Sequence, residues 1–189
     1  LYIDCNEEPI NFNREVYMRG YIQVYTGNGK GKTTAAIGLT VRAVGAGLTV
    51  FIGQFLKQGD YSEIKGLERF GDSVTVEQYG GKHFITGAPS REDISGAQYG
   101  LERVREQIFH GPYDIVILEE ITIAINMGLI PLEEVLDLMK RKPDHIELIL
   151  TGREAAPEII RCADLVTEMK EIKHYFTRKG VQARVGIEK

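Results

Sequence analysis

Tryptophan is absent from the 189 residues, and cysteine occurs only as Cys5 and Cys162, far apart and without a C-x-x-C pair. Neither a disulfide framework nor a zinc cluster is indicated, and a reducing cytoplasmic setting fits such usage best. No apolar run approaches the ~20 residues of a membrane span. A balance of 43% hydrophobic and 26% charged residues is that of a soluble globular chain. A large excess of charge of one sign is also missing, since a formal net charge of −4 gives no general attraction to nucleic acid. His83, His110, His145 and His174 are scattered, with neither triad nor metal-ligand spacing. Residues 1–19 lack both the basic start and the apolar stretch of a signal peptide and read as an N-terminal arm. Between residues 20 and 175 there is no repeat, low-complexity stretch or Ser/Pro linker, so residues 20–189 are expected to form one domain with a C-terminal extension. That length can bury a two-sided core without a staple.

What is present is a recurring unit in which a short β-prone run ends in a loop and a helical stretch begins. The runs are Tyr21–Tyr25, Leu48–Phe55, Val74–Tyr79, Asp114–Leu118, Ile146–Leu150 and Leu165–Ile172. Several are nearly continuous in Val, Ile and Leu, as strands covered on both faces must be, which predicts an α/β fold with a mainly parallel central sheet flanked by helices. Val74 and Val76 alternate with polar residues, which marks the third run as an edge or half-exposed strand. Ile94, Ala97, Leu101, Val104 and Ile108 recur at helical spacing and form one buried face, stopped by Gly111 and Pro112. A second helix is expected from Pro131, with Glu133 and Glu134 near its start and Lys140 to Lys142 near its end, closed by Pro143. The tail alternates Val181, Ala183, Val185 and Ile187, the pattern of a last strand or of an ordered extension.

The segment Thr26-Gly27-Asn28-Gly29-Lys30-Gly31-Lys32-Thr33-Thr34 follows the first strand and opens a helix. Measured against G-x-x-x-x-G-K-[ST], Thr26 fills the first glycine slot and the glycine comes one place later. Glycines let backbone N–H groups turn around phosphate oxygens, the helix N-terminus adds partial positive charge and Lys32 a full one, while Thr33 can ligate Mg²⁺. The fourth strand ends in Glu119-Glu120, where such a protein holds its metal. Glu120 is expected in direct contact with Mg²⁺ and Glu119 behind it.

With these elements the chain resembles the P-loop ATP:corrinoid adenosyltransferases from about Gly20 to Glu188. The resemblance is carried by the strand and loop from Val24 to Ala36, by Arg42-Ala-Val-Gly45 and by Gln54-Phe-Leu-Lys57. It continues in Leu118-Glu-Glu-Ile-Thr122, Pro131-Leu-Glu-Glu-Val135, Leu150-Thr-Gly-Arg153, Ile172-Lys-His174 and Gly180 to Ile187. It implies a three-layer P-loop NTPase (RecA-like) fold and attack by a cobalt(I) corrinoid on the 5′ carbon of ATP, expelling triphosphate. Lys32, Thr33 and Glu120 would then be catalytic, Gly27 to Thr34 would grip the nucleotide, and Arg42, Lys57 and Arg153 would fix it. It further implies an external reductase or flavoprotein as electron donor and a homodimer in which the N-terminal arm reaches the partner's site.

In the family, aromatic residues after the third strand crowd the lower face of cobalt. Phe84 matches one such position, but the second holds Thr86. Either another aromatic such as Tyr79 substitutes or the corrinoid is held differently. Two other readings stay open: a phosphoryl-transfer enzyme presenting the terminal phosphate to an acceptor, and a non-catalytic corrinoid or nucleotide carrier.

Overall fold

A computed structural model of the chain describes residues 19–81 and 85–188. The N-terminal arm, apart from Arg19, and Phe84 lie outside the described residues. Six strands form one sheet: β1 (Ile22–Thr26), β2 (Val50–Phe55), β3 (Val74–Tyr79), β4 (Ile115–Glu119), β5 (Glu147–Thr151) and β6 (Leu165–Glu168). Their order is β3-β2-β4-β5-β1-β6 and every neighbouring pair is parallel. Parallel neighbours need crossover connections, and here helices supply them: α1 (Lys32–Gly45), α2 (Ser62–Leu67), α3 (Arg91–His110), α4 (Ile121–Asn126), α5 (Leu132–Arg141) and α6 (Pro157–Cys162). A 3₁₀ turn at Glu68–Ser73 leads into β3, and a short α7 (Tyr175–Lys179) follows β6.

Because strand side chains alternate, the sheet has two dry faces. On one, Val50, Ile52, Ile115, Ile117 and Ile149 meet Ala36 and Ala43 of α1 and Leu67 of α2. On the other, Val24, Phe51, Phe55, Val116, Leu118, Leu148 and Leu150 meet α3, α5 and α6 through Leu101, Val104, Ile108, Leu138 and Ile159. The result is the expected three-layer α/β fold with a parallel sheet sandwiched by helices. The predicted face of α3 is realised, with Ala97, Leu101, Val104 and Ile108 buried. Its start is fixed by a capping box in which Ser90 and Asp93 bond each other's backbone N–H.

The third run is the edge strand the alternation predicts, paired to β2 alone and mostly half-buried. The sixth differs from expectation: it ends at Glu168, and all four of its residues are exposed on the opposite edge. Beyond it the chain leaves the sheet toward the loop after β1. The alternating tail forms no strand; it is an ordered extension ending in a turn.

Candidate functional site

The carboxyl ends of β1, β4 and β5, together with the segments following β2 and β6, meet in a cavity of about 830 Å³, within the usual range of small-molecule sites. It is lined by the loop from Asn28 to Thr34 and by Lys57, Glu120 and Arg153. The C-terminal segment adds Glu171, His174 and Phe176, then Gly186 to Glu188.

The loop is held open by close backbone approach. Gly29 N donates to Met169 O at 2.6 Å, Met169 N donates to Thr26 O, and Asn28 Oδ1 accepts from Glu171 N. A Cβ at Gly29 would stand 2.6 Å from the Met169 oxygen, and at Gly27, whose φ is +97°, 2.5 Å from it. Those two glycines therefore serve the passage of the chain after β6 as well as any ligand. Gly31 precedes α1, a 14-residue helix, without a side-chain cap among the described residues, and the first-turn residues Lys32 to Thr34 line the cavity. Lys32 is buried, its ammonium donating to Gly27 O and Gly29 O at 2.7 Å each. Burial pulls that ammonium below its ordinary value, with the Glu120 carboxylate opposing.

Thr33 Oγ1 donates to Glu119 Oε1, which also accepts from Lys57 Nζ at 3.1 Å. Burial pushes the Glu119 carboxyl above its usual range, against the pull of Lys57. Burial works against the Lys57 charge in turn, but Glu119, joined by Glu120 and Glu63, more than offsets it and the ammonium is held above its ordinary value. Glu120 is left-handed at φ 62° and lines the cavity, while its N–H donates to Thr151 Oγ1. Leu56 and Glu154 are left-handed too, at φ 61° and 51°. Such backbone costs roughly 1–3 kcal/mol per residue and gathers at functional sites. Here all three residues follow carboxyl ends of strands around one cavity.

Glu119 Oε2 and Glu120 Oε2 are the two buried side-chain oxygens without a hydrogen-bond partner among the described residues. Two orphaned carboxylate oxygens, one of them on the residue that holds the Thr33 hydroxyl, are hard oxygen donors of the kind Mg²⁺ takes. No cluster of three or more His, Cys, Asp or Glu with metal-holding geometry occurs among the described residues. Mg²⁺ does not need one, since it keeps several waters and takes the rest of its ligands from phosphate.

Of the residues singled out from sequence, Asn28 to Thr34, Lys57, Glu120 and Arg153 line the cavity, and Gly27 and Glu119 adjoin it through Lys32 and Thr33. Arg42 is not brought to it: it stands exposed in the last turn of α1. Tyr79 is buried, its ring beside Phe55 and Tyr99 and its hydroxyl on Glu77, so it is a packing residue here and no open aromatic. Sequence reasoning did not make the tail a wall of the cavity. There Lys30 Nζ donates to Ile187 O and to Glu188, which Tyr175 and Arg184 also hold. His174 caps α7, its Nδ1 accepting from Phe176 N.

A family model described as ATP:corrinoid adenosyltransferase BtuR/CobO/CobP matches residues 18–188. A corrinoid adenosyltransferase of Escherichia coli (strain K12) is 37% identical over 173 residues, covering 90% of this chain and 86% of the relative. The corrinoid adenosyltransferase CobA of Salmonella typhimurium (strain LT2) is 38% identical over the same length and coverage. A corrinoid adenosyltransferase of Pseudomonas aeruginosa is 33% identical over 171 residues, covering 90% of this chain and 84% of that protein.

Proposed function

The chain belongs to the ATP:corrinoid adenosyltransferase family, and from that premise we propose that it transfers the 5′-deoxyadenosyl group of ATP to the cobalt(I) of a corrinoid, releasing inorganic triphosphate. The observation that carries this reading is the phosphate cradle: uncapped α1 amides, buried Lys32, and Thr33 tied to a carboxylate that keeps an orphaned oxygen. In the reaction a cobalt–carbon bond forms at C5′, the carbon–oxygen bond to the α-phosphate breaks, and the triphosphate leaves with the electron pair. The nucleophile carries no proton, so no serine, cysteine or histidine base is called for. What the chain must do is stabilise charge growing on the leaving oxygens, and N–H groups and an ammonium fixed beforehand do so without reorganising.

Thr33 and Glu120 would hold Mg²⁺, with Glu119 anchoring the Thr33 hydroxyl from behind; the metal supplies further positive charge to the phosphates when bound. Lys57 and Arg153 would fix the nucleotide from opposite rims of the cavity. We assign Arg42 no part in the site, and the role of Phe84 at cobalt stays with the resemblance. Residues 20–189 act as one unit in this reading. Cobalt(I) has to be made, which calls for an external reductase or flavoprotein, and the reducing cytoplasm and a homodimer belong to the same proposal. Among the described residues no helix is long and apolar enough to cross a membrane.

The test is an anaerobic assay with MgATP and chemically reduced corrinoid. An alkylcobalt spectrum with one triphosphate per product is expected, and Lys32→Ala should abolish both. Release of phosphate in place of triphosphate would move the protein to the phosphoryl-transfer class, and tight binding without turnover to the carriers.

A further inference from the structure

The loop after β5 carries Arg153, and two features set it apart from an ordinary surface turn. Gly152 has φ +142° and Glu154 has φ 51°, so the arginine sits between two residues in left-handed backbone. The loop is nevertheless fastened at both ends to β1, through Gly152 N on Tyr25 O and Ala155 N on Thr26 Oγ1, and between them to α4, which starts directly after Glu120. Thr122 Oγ1 donates to Arg153 O at 2.7 Å. Asn126 Nδ2 lies 3.4 Å from the same oxygen and 3.1 Å from Glu154 O. Thr122 is 1% exposed, and a Cβ at Gly152 would fall 2.1 Å from its hydroxyl oxygen, so the glycine leaves the room in which that bond is made. Arg153 lines the cavity with the phosphate loop, near enough for its charge to act on the Lys32 ammonium, and no ion pair of its guanidinium occurs among the described residues.

We propose that Thr122 and Asn126 are positioning residues: by clamping the backbone of Arg153 and Glu154 they hold the Arg153 guanidinium on the phosphates of bound ATP. The proposal rests on the reading of the cavity as the nucleotide site. The physics is that of preorganisation. A guanidinium on a mobile loop must be ordered when ligand binds, whereas one whose main chain is fixed beforehand loses less freedom per bond. Thr122 and Asn126 lie four apart on one face of α4, which places both donors toward the two carbonyls. Since α4 begins where Glu120 ends, the clamp also couples the arginine to the carboxylate on the cavity rim.

The experiment measures MgATP affinity by calorimetry and KM for ATP against KM for the reduced corrinoid in Thr122→Val, Thr122→Ser, Asn126→Ala, Arg153→Ala and the double variant Thr122→Val/Arg153→Ala. Thr122→Val and Arg153→Ala should each weaken MgATP on the order of tenfold. KM for ATP should rise while KM for the corrinoid stays put, and Thr122→Ser should restore both. The double variant should be no weaker than Arg153→Ala alone, because the clamp acts through the arginine. Asn126 is exposed, so its alanine variant carries the test if Thr122→Val does not fold. Additive losses in the double variant, or a lowered melting temperature with unchanged MgATP affinity in the single ones, would overturn the clamp. Full MgATP affinity in folded Lys32→Ala would instead bring down the nucleotide-site reading, and the clamp with it.

Discussion

Two adjacent carboxylates leave the end of β4 for different surroundings. Glu119 is 1% exposed and spends one oxygen on Thr33 and Lys57. Glu120 turns left-handed and reaches the cavity, where its orphaned oxygen has no described partner. Glu120→Gln is therefore expected to raise the Mg²⁺ concentration needed for half-maximal activity more than Glu119→Gln does, by roughly tenfold for one anionic ligand lost. Glu119→Gln should instead lower stability by about 1–3 kcal/mol, since it leaves the half-buried Lys57 ammonium without its carboxylate. Magnesium titrations and urea midpoints on the two variants separate these roles, and the reverse order would move the direct ligand to Glu119. The pair was legible in sequence because two acidic residues ending an apolar run have few structural excuses. Thr122 and Asn126 were not legible as a clamp, because nothing in a sequence says which carbonyl a hydroxyl or amide will reach across 31 residues.

At the scale of elements, the strand ends carry a lesson in what apolar patterning misses. The runs read from sequence stop at Tyr25, Leu118 and Leu150, while the strands end one residue later at Thr26, Glu119 and Thr151. Each added residue is polar, so a criterion built on hydrophobicity halts before it although the ladder continues. Those residues are the ones that meet the site: Thr26 accepts from Ala155 N, Glu119 from Thr33, and Thr151 from Glu120 N. At the β3 edge, packing alone is thin and charge helps. Arg103 of α3 bonds both carboxylate oxygens of Glu77, at 3.2 and 2.8 Å. That bond, with the Tyr79 hydroxyl assisting, holds the Glu77 carboxyl below its usual range. A depressed carboxylate stabilises the fold fully above its ordinary value of about 4.3 and loses that contribution as pH falls through the lower folded value. Glu77→Gln should thus cost up to about 1 kcal/mol at pH 7, as partly exposed pairs do, and nothing once pH drops well below 4. Urea midpoints of the two proteins at pH 7 and pH 3 check it; a gap that persists in acid would mean that Glu77 acts through packing.

For the molecule as a whole, a parallel sheet with β1 and β4 on either side of β5 sends its carboxyl ends to one rim, and ligands of open α/β sheets bind at that rim. This is why a motif in residues 26–34, a carboxylate pair at 119–120 and an arginine at 153 could be joined from sequence, while Arg42, which lies in the same motif-bearing helix, was carried away from the rim by its length. The same convergence makes ligand binding an event of the whole sheet centre, because β1, β4 and β5 cannot part without dismantling the cradle. MgATP bound only to the folded state should raise stability by about 2.7 kcal/mol at a hundredfold excess over Kd. For a chain of this size, about 2–4 °C per kcal/mol then gives a melting-temperature rise of about 5–10 °C. The rise should shrink when Mg²⁺ is withheld, since Glu120 and Thr33 would then have no cation to hold beside the phosphates. It should vanish in Lys32→Ala, whose sheet and both dry faces are untouched. Arg42→Ala, by contrast, should keep the full rise, because its guanidinium stands at the far end of α1 from the cradle. Scanning calorimetry of the three proteins with and without MgATP reads all of this in one series. An Arg42→Ala protein that loses the nucleotide-dependent rise would place that arginine at a nucleotide site this chain completes in some other way, with a second copy the first to examine.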